Sequence, residues 1–382
     1  MYIEFSDEQR MLKDSAEKYL QDNYDFDGRQ VVVNSEAPFS MQHWSMFANL
    51  GWLAMTFEEE VGGFGGGALE TMLLSEQLGT NLVVEPYVET IVLGGQLIAR
   101  GGSENVTSQC LDSVMAGEYQ LAFAWAEKHH AHAMQDIALI AKLKPQENPS
   151  VIQLNGHKTV VLNGAAADGI IVLARTAGNV GEMDGLSLVF VPVNTKGCER
   201  RSYKTHDGRN AAEFTFNQVQ VPADHIIGKV GQAQALLKPV MQQVLLSLCA
   251  EAVGAMSSLL TATVDYTKQR QQFGRSIAQF QVLRHRMADM FMELELSRSL
   301  MLAAAWKLDQ GSDDAERCLS ALKAKIAKAG KFVSHNAIQL HGGIATTDEL
   351  NVGHFFKRIA AINSQFGTRD DHLSRFSASF QY

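Results

Sequence analysis

The stretch VIQLNGHKTVVLNGAAADGIIVLAR, Val151–Arg175, decides the reading of the fold. Its runs VIQL, KTVVL and GIIVLAR are rich in β-formers, and Asn155-Gly156 and Asn163-Gly164 punctuate them. Asn155-Gly156 reads as a two-residue hairpin turn. The same texture continues outward, through YQLAFAWAE and DIALIAKLK before it and LSLVFVPV and AEFTFNQVQVP after it. Roughly seven short strands, with no helix-length segments between them, argue against a doubly wound nucleotide fold, which needs crossover helices. A small antiparallel barrel or sandwich is expected over residues 118–230.

Both flanks read as helix. Ser6 before Asp7 and Glu8 is a cap with an acidic first turn. Met11, Leu12, Ala16, Tyr19 and Leu20 then space an apolar face at helical period. Met41–Leu53 and Ala68–Leu78 read as further helices. Between them five glycines fall from Gly62 to Gly67, either a phosphate-holding loop or a conformationally permissive one. The lack of a GxxxxGK pattern favours the second. After residue 231, long segments run about Gln234–Gln269, Phe280–Leu308 and Asp313–Leu340, with no proline after Pro239. The tail GTRDDHLSRFSASFQY reads as irregular. The chain is therefore expected to be α+β: an N-terminal helical domain (1–117), a central antiparallel β-barrel or sandwich domain (118–230) and a C-terminal four-helix bundle (231–382).

The 382 residues suffice for two or three domains with buried cores. A formal net charge of -9 argues against nucleic acid as the main partner, because phosphate recognition needs clustered excess Lys and Arg. Cys110, Cys198, Cys249 and Cys318 show no CxxC spacing, so neither a disulfide framework nor a thiolate zinc site is expected. The acidic start and the lack of an 18-residue apolar run point to a cytoplasmic enzyme without a membrane span. His129, His130 and His132 sit in alternation, but no further ligand pattern accompanies them; a solvated loop is the plainer reading.

Four motifs carry a resemblance. TVDYTKQRQQFGRSIAQFQ (Thr263–Gln281) presents Tyr266, Arg270, Gln272, Phe273, Gly274, Ile277 and Gln281. AIQLHGGIATTDEL (Ala337–Leu350) presents Gln339, His341, Gly342, Gly343 and Glu349. QVQVPADHIIG (Gln218–Gly228) and LGWLAMTFEEEVGGFGGG complete the set. In this order they resemble the acyl-CoA dehydrogenase family over nearly the whole chain. LVVEPYVET, CAEAVGAM and DELNVGHFFKRI are similar to small subunits of bacterial heteromeric members, such as pimeloyl-CoA dehydrogenase and the steroid side-chain acyl-CoA dehydrogenases.

The resemblance implies an FAD-dependent oxidoreductase that removes an α proton from an acyl-CoA thioester while the β hydrogen leaves as hydride to the flavin. Its base would need a dry site that raises its pKa. The resemblance places Glu349 as that base; read without it, Glu349 is a solvated residue in the first turn of a helix. Arg270, Gln272 and Phe273 resemble the groups that reach the adenine side of FAD across a subunit interface, Arg offering a rigid fork for a pyrophosphate. Gln339, Gly342 and Gly343 resemble the second half of that cradle, and Asn163 a residue of the flavin motif on the β domain. His341 reads as a packing residue. Lys357 and Arg358 are candidates for CoA phosphates or for a neighbouring acidic surface.

The departures are as informative. Where the family shows Thr-Glu-Pro and Gly-Ser-Asp, this chain keeps Glu127 and Asp136 but carries Lys128, Met134 and Gln135. Val160 and Leu162 replace the Trp and Thr that flank the flavin ring. The Tyr-Glu-Gly-Thr loop is reduced to Gly367 and Thr368. Adenine-side motifs without ring contacts imply an unequal division of labour. The expected partners are an acyl-CoA substrate, a homologous large acyl-CoA dehydrogenase subunit and electron-transferring flavoprotein. The alternative is a non-catalytic structural subunit that completes the FAD site of its catalytic homologue.

Overall fold

The structure, a computed structural model, describes residues 4–128, 133–144 and 150–380. His129, His130 and His132 lie outside the described residues. The first helices are α1 (Asp7–Asn23), α2 (Phe26–Asn34), α3 (Met41–Asn49) and α4 (Ala68–Thr80), followed by a π-helix (Tyr87–Gly95), α5 (Gln96–Gly101) and α6 (Glu104–Met115). Strands follow: β1 (Leu121–Ala124), β2 (Ile140–Lys144), β3 (Val151–Leu162), β4 (Gly169–Arg175), β5 (Leu186–Pro192), β6 (Cys198–Lys204), β7 (Asn210–Pro222) and β8 (Ile226–Ile227). Then come α7 (Ala233–Gln269), the two-residue strands β9 (Gln271–Gln272) and β10 (Arg275–Ser276), α8 (Gln281–Asp309), α9 (Ala315–His341), α10 (Asn351–Ser364) and α11 (Arg369–Ala378). The architecture is α+β, in the expected order of helices, sheet and helices. Two compact units cut across that order: Met1–Gln30, Gly67–Val83 and Leu245–Tyr382 form one, Val31–Gly66 and Val84–Val244 the other.

In the second unit the described strands form an eight-stranded sheet, ordered β6-β7-β3-β2-β4-β5-β8 with β1 alongside β4. Pairing is mostly antiparallel, but β1 and β2 meet β4 in parallel. Strand β4 is buried at every position, which explains its unbroken apolar run. Ile152, Leu154, Ile170, Val172, Val189, Val191, Phe214 and Phe216 fill the sheet core.

The Asn155-Gly156 hairpin is corrected. Both residues lie inside the single strand β3, where the register with β7 shifts between Leu154 and Gly156. The pair serves a bulge: Gly156 takes φ +144°, and Asn155 Oδ1 accepts the Gln218 amide at 2.9 Å. Strand β2 pairs with β3 as far as Asn155, and β7 pairs with it before and after the dipeptide, Leu154 with Val219 and Gly156 with Phe216, so β3 runs on through the turn-like pair. The irregular tail is corrected as well. Thr368 and Asp371 form a capping box that starts α11.

In the first unit, α4 and α7 approach at two glycines. A Cβ on Gly79 would lie 2.0 Å from the Glu251 carbonyl oxygen, and one on Gly254 2.0 Å from that of Glu76. No larger residue fits this crossing, and the Ser75 and Ser247 hydroxyls meet across it at 2.7 Å. Helix α7 is long and apolar enough to cross a bilayer by composition, yet 78% of its apolar window is buried, as befits a core helix. The glycine segment before α4 is permissive and does not form a phosphate cradle. Gly62 and Gly65 take positive φ, while the first amides of α4 are occupied by the Asp309 carboxylate and that of Gly67 by Glu70. Burial raises the Asp309 pKa against the pull of those amides.

Candidate functional site

The adenine-side candidates lie in the first unit, and one ring stack brings their two motifs together. Tyr266, near the end of α7, stacks on His341, at the end of α9, with centroids 4.4 Å apart and planes 26° apart. His341 is buried, its Nδ1 lies 2.8 Å from the Ala337 carbonyl, and burial lowers its pKa. That is packing, as the sequence suggested. The stack holds the end of α7, from which the Arg270–Gly274 hairpin leaves, against the end of α9, where the Gly342-Gly343 turn begins.

Strands β9 and β10 pair Gln272 with Arg275 and Gln271 with Ser276, leaving Phe273 and Gly274 as the turn. Both have positive φ, +54° and +76°, the signature of a type I′ turn. Asn and Gly are the usual occupants; a bulky ring there is strained. Phe273 is also 90% exposed. Its ring is presented outward at a conformational cost of order 1–3 kcal/mol. Arg270 and Gln272 are exposed beside it, and no carboxylate partner of Arg270 occurs among the described residues.

Gln339 is exposed at the edge of a groove of about 560 Å³, shared with Ile338, Thr346, Thr347 and Phe356. Gly342 ends α9 with φ +71°. No heavy atom lies within 4 Å of a Cβ built on Gly342 or Gly343. Nothing in the chain itself needs glycine at 343, so the open backbone fits an incoming group. The exposed Arg fork, the outward ring and this bare turn together suit the adenosine and phosphate end of a dinucleotide.

Glu349 stands exposed on the turn before α10. Its neighbour Asp348 meets Lys357 at 3.3 Å and His354 at 3.6 Å. The reading of Arg358 as a phosphate ligand is corrected. Arg358 is 3% exposed, and its Nε and Nη2 donate to Glu251 at 2.6 and 2.7 Å.

The ring-side positions lie in the second unit. Val160 sits at a bulge with φ +49°, 54% exposed, and Leu162 is half-buried. Asn163 is corrected from a cofactor contact to a core residue. It is 2% exposed, and its amide donates to the Thr90 hydroxyl and the Leu121 carbonyl, both at 3.1 Å. Glu127 is a buried anchor: it accepts the Ala138 and Leu139 amides at 3.0 Å each and Lys158 Nζ at 2.8 Å.

The sequence reading missed the network behind Asn163. Asn210 donates to Asn163, Thr90 to Gln120, and Glu89 faces Arg209 at 3.6 Å. Glu89 and Thr90 belong to the fully buried π-helix Tyr87–Gly95, a rare geometry that tends to mark functional sites. The signal was present as two polar residues inside the apolar run YVETIVLGG. No metal-holding group of His, Cys, Asp or Glu occurs among the described residues.

Three family models match in sequence order: Acyl-CoA dehydrogenase N-terminal domain over residues 6–118, middle domain over 122–219 and C-terminal domain over 240–379. The chain is 26% identical to the mitochondrial isovaleryl-CoA dehydrogenase of Solanum tuberosum, covering 92% of this chain and 85% of that one. It is 26% identical to PigA in its FAD complex, with a TM-score of 0.91 and 99% of each chain covered. The ChsE4-ChsE5 complex from Mycobacterium tuberculosis shares the fold, with a TM-score of 0.88 at 23% identity, covering 99% of this chain and 98% of that one.

Proposed function

Because the chain belongs to the acyl-CoA dehydrogenase family, we propose that it works as one subunit of a heteromeric, FAD-dependent enzyme that converts an acyl-CoA thioester to its trans-2-enoyl-CoA. The observation that carries this reading is the strained, outward Phe273 beside Arg270, Gln272 and the bare Gly342-Gly343 turn. Arg270 would hold phosphate oxygens, Phe273 would lie against the adenosine, and Gln339 with the two glycines would admit the ribose and phosphates closely. When bound, FAD supplies the acceptor for the β hydrogen. Val282, Phe291, Met292 and Leu296 of α8 are exposed apolar residues suited to a subunit contact. A homologous large subunit is the proposed neighbour, and electron-transferring flavoprotein the proposed acceptor.

The exposure of Glu349, with Val160 and Leu162 at the ring positions, favours a second reading. In it the chain completes a homologue's flavin site and performs no proton abstraction itself.

Flavin content and acyl-CoA-dependent bleaching of the complex with the large subunit separate these readings. The lone chain should be colourless and the complex yellow. Arg270→Ala should weaken FAD retention by about 10- to 100-fold, the worth of a charge-assisted bond. About one FAD per chain on the lone protein would sink the shared-site proposal. Glu349→Gln should slow bleaching by about a hundredfold or more if Glu349 is the base. Unchanged bleaching would remove Glu349 from the mechanism.

A further inference from the structure

A cleft of about 430 Å³ opens in the first unit among α1, α4, α7 and α8, a size typical of small-molecule sites. Its floor is apolar. Met72 and Leu73 of α4 and Met301 of α8 are each at most 2% exposed, and Leu302 continues the wall. Such a floor alone is ordinary helix packing.

Gln77 is what packing does not explain. It stands one turn beyond Leu73 on the same face of α4, lines the cleft and is only 7% exposed. Its side-chain amide has no hydrogen-bond partner among the described residues. It is not sealed either. Asn363 Oδ1 and Gln365 Oε1 are closed off without a donor, whereas the Gln77 amide still meets the open space of the cleft. A buried amide normally finds its partner within the chain, so this one is free for a group brought from outside.

The other polar groups of the cleft divide into those already engaged and those that are not. Thr80 Oγ1 donates to the Glu76 carbonyl at 2.9 Å. Arg298 Nε donates to the Glu76 carboxylate at 3.1 Å, and its Nη1 to Glu295. Glu17 accepts the Gln21 amide at 3.2 Å. Lys13, one turn before Glu17 on α1, and Ser257 of α7 have no side-chain partner among the described residues. The cleft therefore offers one uncommitted ammonium, one amide and one hydroxyl over an apolar floor. A single free ammonium matches one negative charge and not a phosphate chain, and the floor asks for a hydrocarbon body.

We propose that this cleft binds a small monocarboxylic acid, at a site separate from the Arg270 and Gln339 cradle. Lys13 takes the carboxylate, Gln77 Nε2 and the Ser257 hydroxyl donate to its oxygens, and the hydrocarbon lies on Met72, Leu73 and Met301.

Calorimetric titration of the full chain with hexanoate tests the site. Hexanoate should bind saturably, and hexanol and hexylamine about tenfold or more weakly. Lys13→Gln and Gln77→Leu should each weaken hexanoate by about tenfold or more, with Lys13→Arg retaining affinity. Arg270→Ala should leave hexanoate binding intact. Gln77→Leu should also keep the urea midpoint at or above that of the wild type, because no internal bond is lost. Absence of saturable hexanoate binding overturns the proposal. So does binding that survives both Lys13→Gln and Gln77→Leu, which places the acid elsewhere. Hexanol or hexylamine binding as tightly as hexanoate also overturns it, since the cleft then has no carboxylate site. A lowered urea midpoint in Gln77→Leu overturns the assignment of its amide to a ligand and returns it to the fold.

Discussion

Replacing Arg358 with alanine should cost about 3–5 kcal/mol of folding stability, because it strands a buried carboxylate. Glu251 is 3% exposed on α7, and both of its oxygens meet the Arg358 fork of α10, at 2.6 and 2.7 Å. A whole domain commonly holds only about 5–15 kcal/mol, so the variant should sit close to unfolding at body temperature. Lysine at 358 should rescue little, since a point charge cannot make both bonds of the fork. Removing the pair together, as Glu251→Leu with Arg358→Met, should recover most of the loss because no charge is then left unpaired. Urea denaturation of the three variants checks this. A loss under about 1 kcal/mol in Arg358→Ala would show that the pair does not hold α10 to α7.

The second large effect is expected at Lys158, which is 0% exposed. Lys158→Met should cost about 3 kcal/mol at neutral pH, again by leaving a buried carboxylate, Glu127, without its cation. Burial pushes the Glu127 pKa up, but the Lys158 charge and its hydrogen bond, with the Leu139 and Ala138 amides, bring it below the ordinary carboxylate value. Burial draws the Lys158 ammonium down to about 8, with Glu127 opposing. A depressed carboxylate stabilises the fold above its unfolded pKa and loses that stabilisation as pH falls through its folded value. In the variant, burial acts on Glu127 without the cation, so its pKa should rise. The stability gap between wild type and Lys158→Met should therefore narrow as pH falls from neutrality, first as the raised Glu127 pKa of the variant is crossed and then below 4.5 as the wild type loses its own contribution. At the alkaline end the unfolded chain holds the Lys158 proton up to 10.5 and the folded chain only to about 8, so this group's contribution to stability rises between those values. Denaturation curves at several pH values measure both limbs. A gap that widened on acidification would reject the assignment of the ion pair as the cause.

Glu251 and Arg358 also show why the site was only partly legible. Their order along the chain, 107 residues apart, carries no sign that they meet. In the segment HFFKRI, Lys357 and Arg358 look alike, yet one reaches Asp348 at the surface and the other is buried. Asn163 has the same difficulty. A family motif can single out the position, but only the packing of β1 and the π-helix around it shows that its amide is used internally. Phe273 is the opposite case. The Gln-Phe-Gly motif was conspicuous, and the structure supplied the strain and exposure that give it physical meaning.

Val151–Arg175 shows where the division falls. Strand-forming texture, helix periodicity and capping residues act over a few positions, so sequence alone determined the order of helices, sheet and helices. It placed the long helices α7, α8 and α9 within a residue or two of Ala233–Gln269, Gln281–Asp309 and Ala315–His341. Even the missed α11 was written locally, in Thr368 and Asp371. Only the tertiary structure decided that Asn155-Gly156 is a bulge, because bulge and hairpin use the same permissive backbone and differ in whether strands lie on both sides. It alone decided which charges are buried and which face solvent, because desolvation and pairing are properties of neighbours brought together from distant parts of the chain.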